Sequence, residues 1–536
     1  MKKLLCLASV MAGLGWSADW TRTYSAGTTN EVMYNISPCS DGGYILAGSG
    51  NELYHLRFLK IDAGGVPQWG GSGYGTMQWN YIFQIVQTSD GGYAGCGSTG
   101  NTDKGTLWRM AVSQLSMSQA KGKGLIDGLV FKLNSSGGKI WGKQISNPLD
   151  FLDALSVCQA SDGGVVITGW LTDSYGYGDI YVMKFDGTNG NLLWTKAYGG
   201  AGGEAGQMII RTADGGFFLT GSTSSAGAGL SDVVAMKLAS DGSLNWAKVI
   251  GGAGEDYGYA CAQTSDGGYI IVGVTESWGA GGLDMFVIKL TSTGTLSWAK
   301  VIGGPNQDDP YSVVETPDGG FAIGGDSYSF RSNNWELAAI KLTSGGTLSW
   351  AAVSTGSGDD FGSGIANASD GGLVVCGWTS SFGVPTPYDI LVMKLETNGY
   401  NCADSTVFPS VISVSPSSAS WTPSQPSYTL NVSTGVSIGS WSHTYKHICP
   451  PVDVSETAPA NPVLSVKPDG RLSLYLPSEQ RIALDIYDAG GRLIQSLWDG
   501  YLSQGEHAFA PRLETPGIYM AVLRYEEGMQ TVKIVR

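Results

Sequence analysis

Residues 251–301 read GGAGEDYGYACAQTSDGGYIIVGVTESWGAGGLDMFVIKLTSTGTLSWAKV, and most of the chain repeats this pattern. Its fixed points are Asp256, the triplet Asp266-Gly267-Gly268, a further acid at Asp284, Lys289, and a glycine, Gly294, four residues before Trp298. The Asp-Gly-Gly triplet begins at Asp41, Asp90, Asp162, Asp214, Asp266, Asp318 and Asp370, in steps of 49, 72, 52, 52, 52 and 52 residues. A period near fifty residues points to a repeat architecture, here of seven copies with one insertion in the second. Within the quoted copy, Tyr257–Gln263 alternates into an Asp-Gly turn, the signal of a tight hairpin. Tyr269–Val274 is β-branched and aromatic, as a second strand should be. The loop Glu276–Leu283 leads to Asp284–Leu290, and a Thr-Ser-Thr-Gly turn reverses the chain into Thr295–Val301. Four antiparallel strands, seven times over, predict a seven-bladed β-propeller.

The tryptophans predict how the ring closes. Trp69, Trp141, Trp194, Trp246, Trp298 and Trp350 each follow a glycine by four residues, which supplies six outer strands. The seventh copy ends at Asn398-Gly399-Tyr400 without a Trp, and the odd one stands at the other end of the chain, in Asp19-Trp20-Thr21-Arg22-Thr23-Tyr24. The N-terminal strand is therefore expected to complete the last blade, which removes two open sheet edges.

The run G-G-x-G-x-D, D-G-G-[YF], D-x-x-V-x-K-L, G-x-x-x-W resembles the bacterial β-propeller repeat of secreted and surface proteins, over roughly Trp20 to Gly399. The resemblance implies a fold and leaves activity open, because propellers host many unrelated functions.

Met1-Lys2-Lys3, the apolar run Leu4–Leu14 and the small residues near Ser17-Ala18 predict a signal peptide over 1–18. No other stretch approaches the length of a membrane helix. A secreted or outer cell-surface protein, expected to be a monomer, follows. Gly makes up 80 of 536 residues, charged residues 14%, and the formal net charge is −15. Nucleic acid is excluded as a partner, since phosphate binding relies on clustered Lys and Arg. Cys96 and Cys376 share a repeat position in non-adjacent blades and read as small buried apolar residues. Cys402 and Cys449 could pair in an oxidising compartment.

The tight turns fall on one face of the propeller. The opposite face collects the variable loops and their aromatics: Trp170, Tyr175, Tyr177, Trp278, Tyr328, Phe330, Trp335, Trp378, Phe382 and Tyr388. Variable loops on a rigid frame are where binding residues tend to be placed. Rings and carboxylates around a concave rim suit a glycan, although some of these rings would simply cover blade edges. The insertion Thr106–Ile126, with Trp108 and Arg109, breaks the repeat and is a further candidate.

Acids ten residues before the triplets, Glu31, Glu204, Asp256, Asp308 and Asp360, with Asn80 and Leu152 interrupting the series, form a candidate Ca²⁺ ring. A residue repeated in nearly every blade is more simply read as framework, bonding its own crossing loop. The same applies to Asp127, Asp179, Asp232, Asp284, Glu336 and Asp389, each five residues before a lysine. No cofactor is expected beyond that Ca²⁺ alternative.

Enzyme signatures are weak. His55 is the one histidine before Gly399, with His443, His447 and His507 beyond it. No Ser-His-Asp motif or His-rich metal site emerges. The leading expectation is a non-enzymatic protein that binds a glycan or a protein. A glycan-degrading hydrolase or lyase and a purely structural surface protein are the alternatives.

Residues 19–402 are assigned to the propeller and the Ser/Thr/Pro-rich 403–462 to a small β segment or linker. Residues 463–536 are expected to form an immunoglobulin-like sandwich. Asn461-Pro462, Leu484-Asp485-Ile486-Tyr487-Asp488, Gly491-Arg492, Leu502-x-x-Gly505-x-His507, Gly517-x-Tyr519 and the terminal Val532-Lys533-Ile534-Val535-Arg536 resemble the C-terminal sorting domain of type IX secretion. That resemblance implies an export machinery as partner of 463–536.

Overall fold

The fold is given by a computed structural model. It describes 20–25, 30–50, 55–74, 79–100, 126–147, 151–172, 178–331, 334–382, 388–399 and 401. Further on it describes 404–406, 410–414, 417–420, 431–433, 436–440, 444–449, 463–466, 472–476, 478–488, 492–503, 505–513, 515, 518–525 and 528–535. All regular structure among these residues is β, and no helix is long and apolar enough to cross a membrane. The expected signal peptide lies outside the described residues. The chain divides into two units, Met1–Pro451 and Val452–Arg536.

In the first unit the seven repeats form seven antiparallel sheets, six of them built from four strands in chain order and the seventh from three plus the N-terminal Trp20–Ser25. Blade 5, for example, runs Asp256–Gln263, Tyr269–Thr275, Asp284–Leu290, Leu296–Gly303. Consecutive innermost strands pack on one another around a closed ring, from Glu31–Pro38 through to Asp360–Asn367 and back. The middle two strands of blade 5 are buried at every residue, because neighbouring blades cover both faces. Cys39, Cys96, Cys158, Cys261 and Cys376 are buried free thiols. The side chains of Cys402 and Cys449 lie outside the described residues.

The turn triplet organises each hairpin. Gly267 sits at φ +80°, a left-handed conformation that favours glycine. Asp266 Oδ1 accepts the Gly268 N–H at 2.9 Å and the Thr264 hydroxyl at 2.5 Å, while Lys289 Nζ reaches Oδ2 at 2.9 Å. So the lysine pairs with the triplet acid across the blade, and every triplet, from Asp41–Lys60 to Asp370–Lys394, repeats that pair. The Thr264 hydroxyl outweighs the opposing desolvation and, with Lys289, holds the Asp266 carboxyl down at about 2. A depressed acid stabilises the fold above its ordinary range and loses that contribution as pH falls toward the depressed value. Asp266→Asn is therefore expected to cost about 1 kcal/mol or less at pH 6, the acid being exposed. The difference from wild type should shrink below about pH 3, which urea titrations at the two pH values would measure.

Closure follows the Trp count. Trp20–Ser25 pairs antiparallel with Asp389–Leu395, in the register Trp20↔Lys394 to Tyr24↔Ile390. Each outer-strand indole covers the turn glycine of the next blade: Trp69 lies on Gly137, Trp246 on Gly294, Trp350 on Gly399. Trp20 completes the cycle by lying on Gly65 of blade 1, its Nε1 donating to Ala63 O at 3.3 Å. Tyr24 Oη donates to Gly65 O at 2.7 Å. Trp20 is 4% exposed, whereas most of the other six are half-buried.

The segment expected to be a separate β module is instead part of the propeller, and this corrects the boundary at 403. Asp404–Thr406 pairs with the outer strand of blade 6, Ser410–Val414 with blade 5 and Ser417–Ser420 with blade 4. Asn431–Ser433 then pairs with blade 2, Ser437–Ser440 with blade 1, and Thr444–Cys449 with Trp20–Ser25 of blade 7. The chain thus returns around the rim in reverse order, adding a fifth strand to six of the seven sheets. Blade 3 has no fifth strand among the described residues, and 421–430 lie outside them. The physical reason is the edge: an outer strand offers a row of unpaired N–H and C=O groups that short, sequence-tolerant strands can satisfy. Sheet twist of about 20–25° per strand turns the outer strands away from the axis, so that belt strands can follow the rim end to end.

The second unit holds a three-stranded sheet, Val463–Val466, Leu472–Leu476 and Gly505–Phe509. Its other sheet is four-stranded, in the order Leu493–Leu502, Gln480–Asp488, Ile518–Tyr525, Gly528–Val535. Leu464, Leu474, Leu476, Ile482, Leu484, Ile486 and Leu523 form its core.

Candidate functional site

Every innermost strand carries a β-bulge at its fourth residue, or its fifth in blade 2, placing Tyr34, Phe83, Leu155, Gln207, Tyr259, Tyr311 and Ser363 at equivalent positions. A bulge leaves its extra residue out of the ladder and re-aims it. Neighbouring members meet: the rings of Tyr34 and Phe83 are 5.8 Å apart, and Tyr259 stacks on Tyr311 at 6.0 Å. The sequence pattern missed this set, because one inserted residue breaks no period longer than a strand.

Blades 6 and 7 bring several predicted aromatics together. Tyr328 lies 5.5 Å from Trp335, Trp335 stacks on Phe361 at 5.8 Å, and Phe361 meets Tyr388 at 6.2 Å. Trp378 stacks under Phe361 at 5.2 Å and touches Tyr34 at 5.9 Å. Tyr328, Trp335, Phe361 and Tyr388 are half-buried, but Trp378 is only 1% exposed and is a floor to the cluster, not a contact surface. Polar groups edge it: Asp359 Oδ1 accepts the Trp335 N–H at 3.1 Å, and Asn334 Nδ2 donates to Ser357 O at 3.3 Å.

The remaining candidates separate. Trp170 is 7% exposed and stacks on Phe151 at 4.1 Å, inside a core with Tyr81 and Ile126. Its expected role on the rim is corrected: the ring is buried in that core, where packing on Phe151 takes its face. Trp278 packs on Phe286 at 5.6 Å and over Gly252, covering a blade edge. Tyr175, Tyr177, Trp108 and Arg109 lie outside the described residues.

The candidate Ca²⁺ ring does not converge on one point. Among the described residues, no group of three or more His, Cys, Asp or Glu side chains is placed to hold a metal. Each acid instead serves its own blade junction. Glu31 pairs with Arg57 at 3.2 Å, while Glu204, Asp256, Asp308 and Asp360 are fully buried and accept hydrogen bonds locally. Asp256 Oδ2, for instance, accepts the Gly252 N–H and the Ser277 hydroxyl, both at 2.7 Å.

One acid pair breaks the repeat. Asp309 and Asp326 lie directly opposite on neighbouring strands of blade 6, 3% and 2% exposed, where the other blades carry such pairs as Val32/Ser49 or Tyr257/Val274. Gln307 Nε2 donates to Asp309 Oδ2 at 2.7 Å, and the Tyr311 hydroxyl also bonds Asp309. Burial pushes the Asp309 carboxyl up to about 7, with Asp308 adding to the rise, and burial followed by the charges of Asp309 and Asp308 holds Asp326 well above its ordinary range. Departure from the repeat consensus was the signal that could have found them.

No family model matches the chain, and no curated protein does. Among solved structures it is similar to a quinohemoprotein alcohol dehydrogenase from Pseudomonas putida HK5, with 9% identity and a TM-score of 0.31 over 72% of this chain and 76% of that one. It is also similar to an endo-1,5-alpha-L-arabinanase from Thermotoga petrophila RKU-1, with 12% identity and a TM-score of 0.23 over 70% and 99%.

Proposed function

We propose that this chain is a secreted or cell-surface protein whose propeller binds a glycan on the aromatic cluster of blades 6 and 7, with residues 463–536 as its export signal. The observation that carries the reading is the convergence of Tyr328, Trp335, Phe361 and Tyr388, half-buried and edged by Asp359 and Asn334. Flat apolar rings beside hydrogen-bonding groups match the alternating C–H faces and hydroxyls of a sugar. A glycan array probed with the full chain tests it. Trp335→Ala should weaken the best-bound glycan about thirtyfold, the equivalent of about 2 kcal/mol for a central aromatic anchor. No bound glycan, or binding indifferent to Trp335, would reject the reading.

The hydrolase alternative is favoured by one observation, the non-repeated carboxyl pair Asp309/Asp326. Glycoside hydrolysis uses two carboxyl groups in unlike states. Turnover of an array-positive glycan that is abolished by Asp309→Asn would favour that alternative over simple binding.

A further inference from the structure

Two repeated acid series that are some 24 residues apart in sequence meet in space. At the junction of blades 4 and 5, Asp232 Oδ1 and Asp256 Oδ2 both crowd the Cα of Gly251: an added Cβ would overlap the first and lie 2.8 Å from the second. Asp284, Asp308 and Gly303 repeat the arrangement between blades 5 and 6, where the Cβ would lie 2.9 Å from Asp308 Oδ2. Glu336 and Asp360 flank Ser354 between blades 6 and 7, and Asp179 faces Glu204 between blades 3 and 4. These eight acids are at most 6% exposed. Asp232 Oδ1, Asp256 Oδ1 and Asp284 Oδ1 accept no hydrogen bond from the described residues.

The other junctions resolve the same contact differently. Glu31, at the junction with blade 7, meets the guanidinium of Arg57. Between blades 2 and 3 the second acid is Leu152, and the Gln144 amide donates to Asp127 at 2.7 Å. An arginine, an amide N–H or an apolar residue each removes the problem of two dry carboxylates side by side, which cannot both ionise without a counter-charge.

We propose that each of the four acid-pair junctions holds one proton between its two carboxyls at neutral pH, so that cohesion of blades 3 to 7 is proton-linked. Between blades 4 and 5 and between blades 5 and 6 the proton supplies the donor that the orphaned oxygens lack, as the Gln144 amide does for Asp127. The groups facing each pair offer little compensation. Asp232 faces Asp256, with Ala228 and Gly229 N–H groups on its other oxygen. Asp284 faces Asp308, which also feels Asp309 and Asp326. Glu336 faces Asp360 and Asp359, with the Arg331 charge opposing them. Burial, and then the neighbouring acid, raises Asp284 to about 6; burial, only partly offset by the Ser354 hydroxyl, and then Asp360 raise Glu336 to about 7. An acid raised on folding binds its proton more tightly in the native state. The contribution of these pairs is then greatest at low pH and falls as pH rises through the raised values.

The test is thermal unfolding of the full chain between pH 4.5 and 8.5, in EDTA and again with added Ca²⁺. The wild-type Tm should drop by about 5 °C or more between pH 5 and 8, corresponding to a few kcal/mol. Asp232→Asn/Asp284→Asn keeps the shape and supplies an amide N–H in place of the proton. It should flatten the slope and exceed wild type at pH 8. An unchanged slope in the variant, or a wild-type slope abolished by Ca²⁺, overturns the proposal, the latter by putting a cation where we place the proton. Should the variant fail to fold, the infrared C=O band of protonated carboxyl groups at pH 7 decides, read in Asp309→Asn/Asp326→Asn so that those two raised acids do not contribute. Its presence supports the shared protons and its absence rejects them.

Discussion

Trp20→Ala is expected to lower the stability of the propeller unit by about 3–5 kcal/mol, the range for truncating a buried aromatic. The indole is 4% exposed, donates to Ala63 O, and fills the space over Gly65 that closes the cycle of Trp–Gly contacts. Its strand is also the centre of a three-strand seam, between Asp389–Leu395 on one side and Thr444–Cys449 on the other. Asn401 fastens that seam: Nδ2 donates to Lys394 O at 2.6 Å, and Oδ1 accepts the Thr21 hydroxyl at 2.7 Å. Removing residues through Tyr24 should therefore do more damage than the point change, since it opens two ladders and takes the Thr21 and Trp20 bonds from Asn401. Chemical denaturation of the two variants against wild type measures both effects. A Trp20→Ala variant within about 1 kcal/mol of wild type would mean that the ring closes without this strand.

Truncation after Asn401 should have the second large effect. It removes the whole rim belt and exposes the outer edges of six blades to pairing with other molecules. We expect a Tm lower by about 10 °C or more and concentration-dependent association. Truncation after Pro451 keeps the belt and removes only the second unit, so the propeller should remain monomeric with a nearly unchanged Tm. Light scattering coupled to size exclusion separates the outcomes. Equal behaviour of the two truncations would show that the belt contributes nothing to cohesion.

Several features are legible in the sequence alone. The 52-residue spacing, the Asp-Gly-Gly turns and the glycine-spaced tryptophans are local signals, since each is set by what a single turn or strand requires. Counting them even located the closing strand, because six Trp residues for seven turns leave one blade unfinished. The belt was different. Strands such as Asp404–Thr406 and Asn431–Ser433 are three residues long and take part through backbone groups that every residue carries. Nothing in their side chains need announce them; the unpaired edges that recruit them exist only once the blades have formed.

The site divides along the same line. The sequence supplied a pool of loop aromatics, but Trp378 and Trp335 differ in fate only because one falls inside a junction and the other on its rim. Asp232 and Asp256 look like members of two separate framework series along the chain. Packing one blade on the next brings them together at Gly251, where burial removes the water that would let both carry charge. Residue identity along the chain fixes which acids exist; their shared environment is decided by the neighbouring blade.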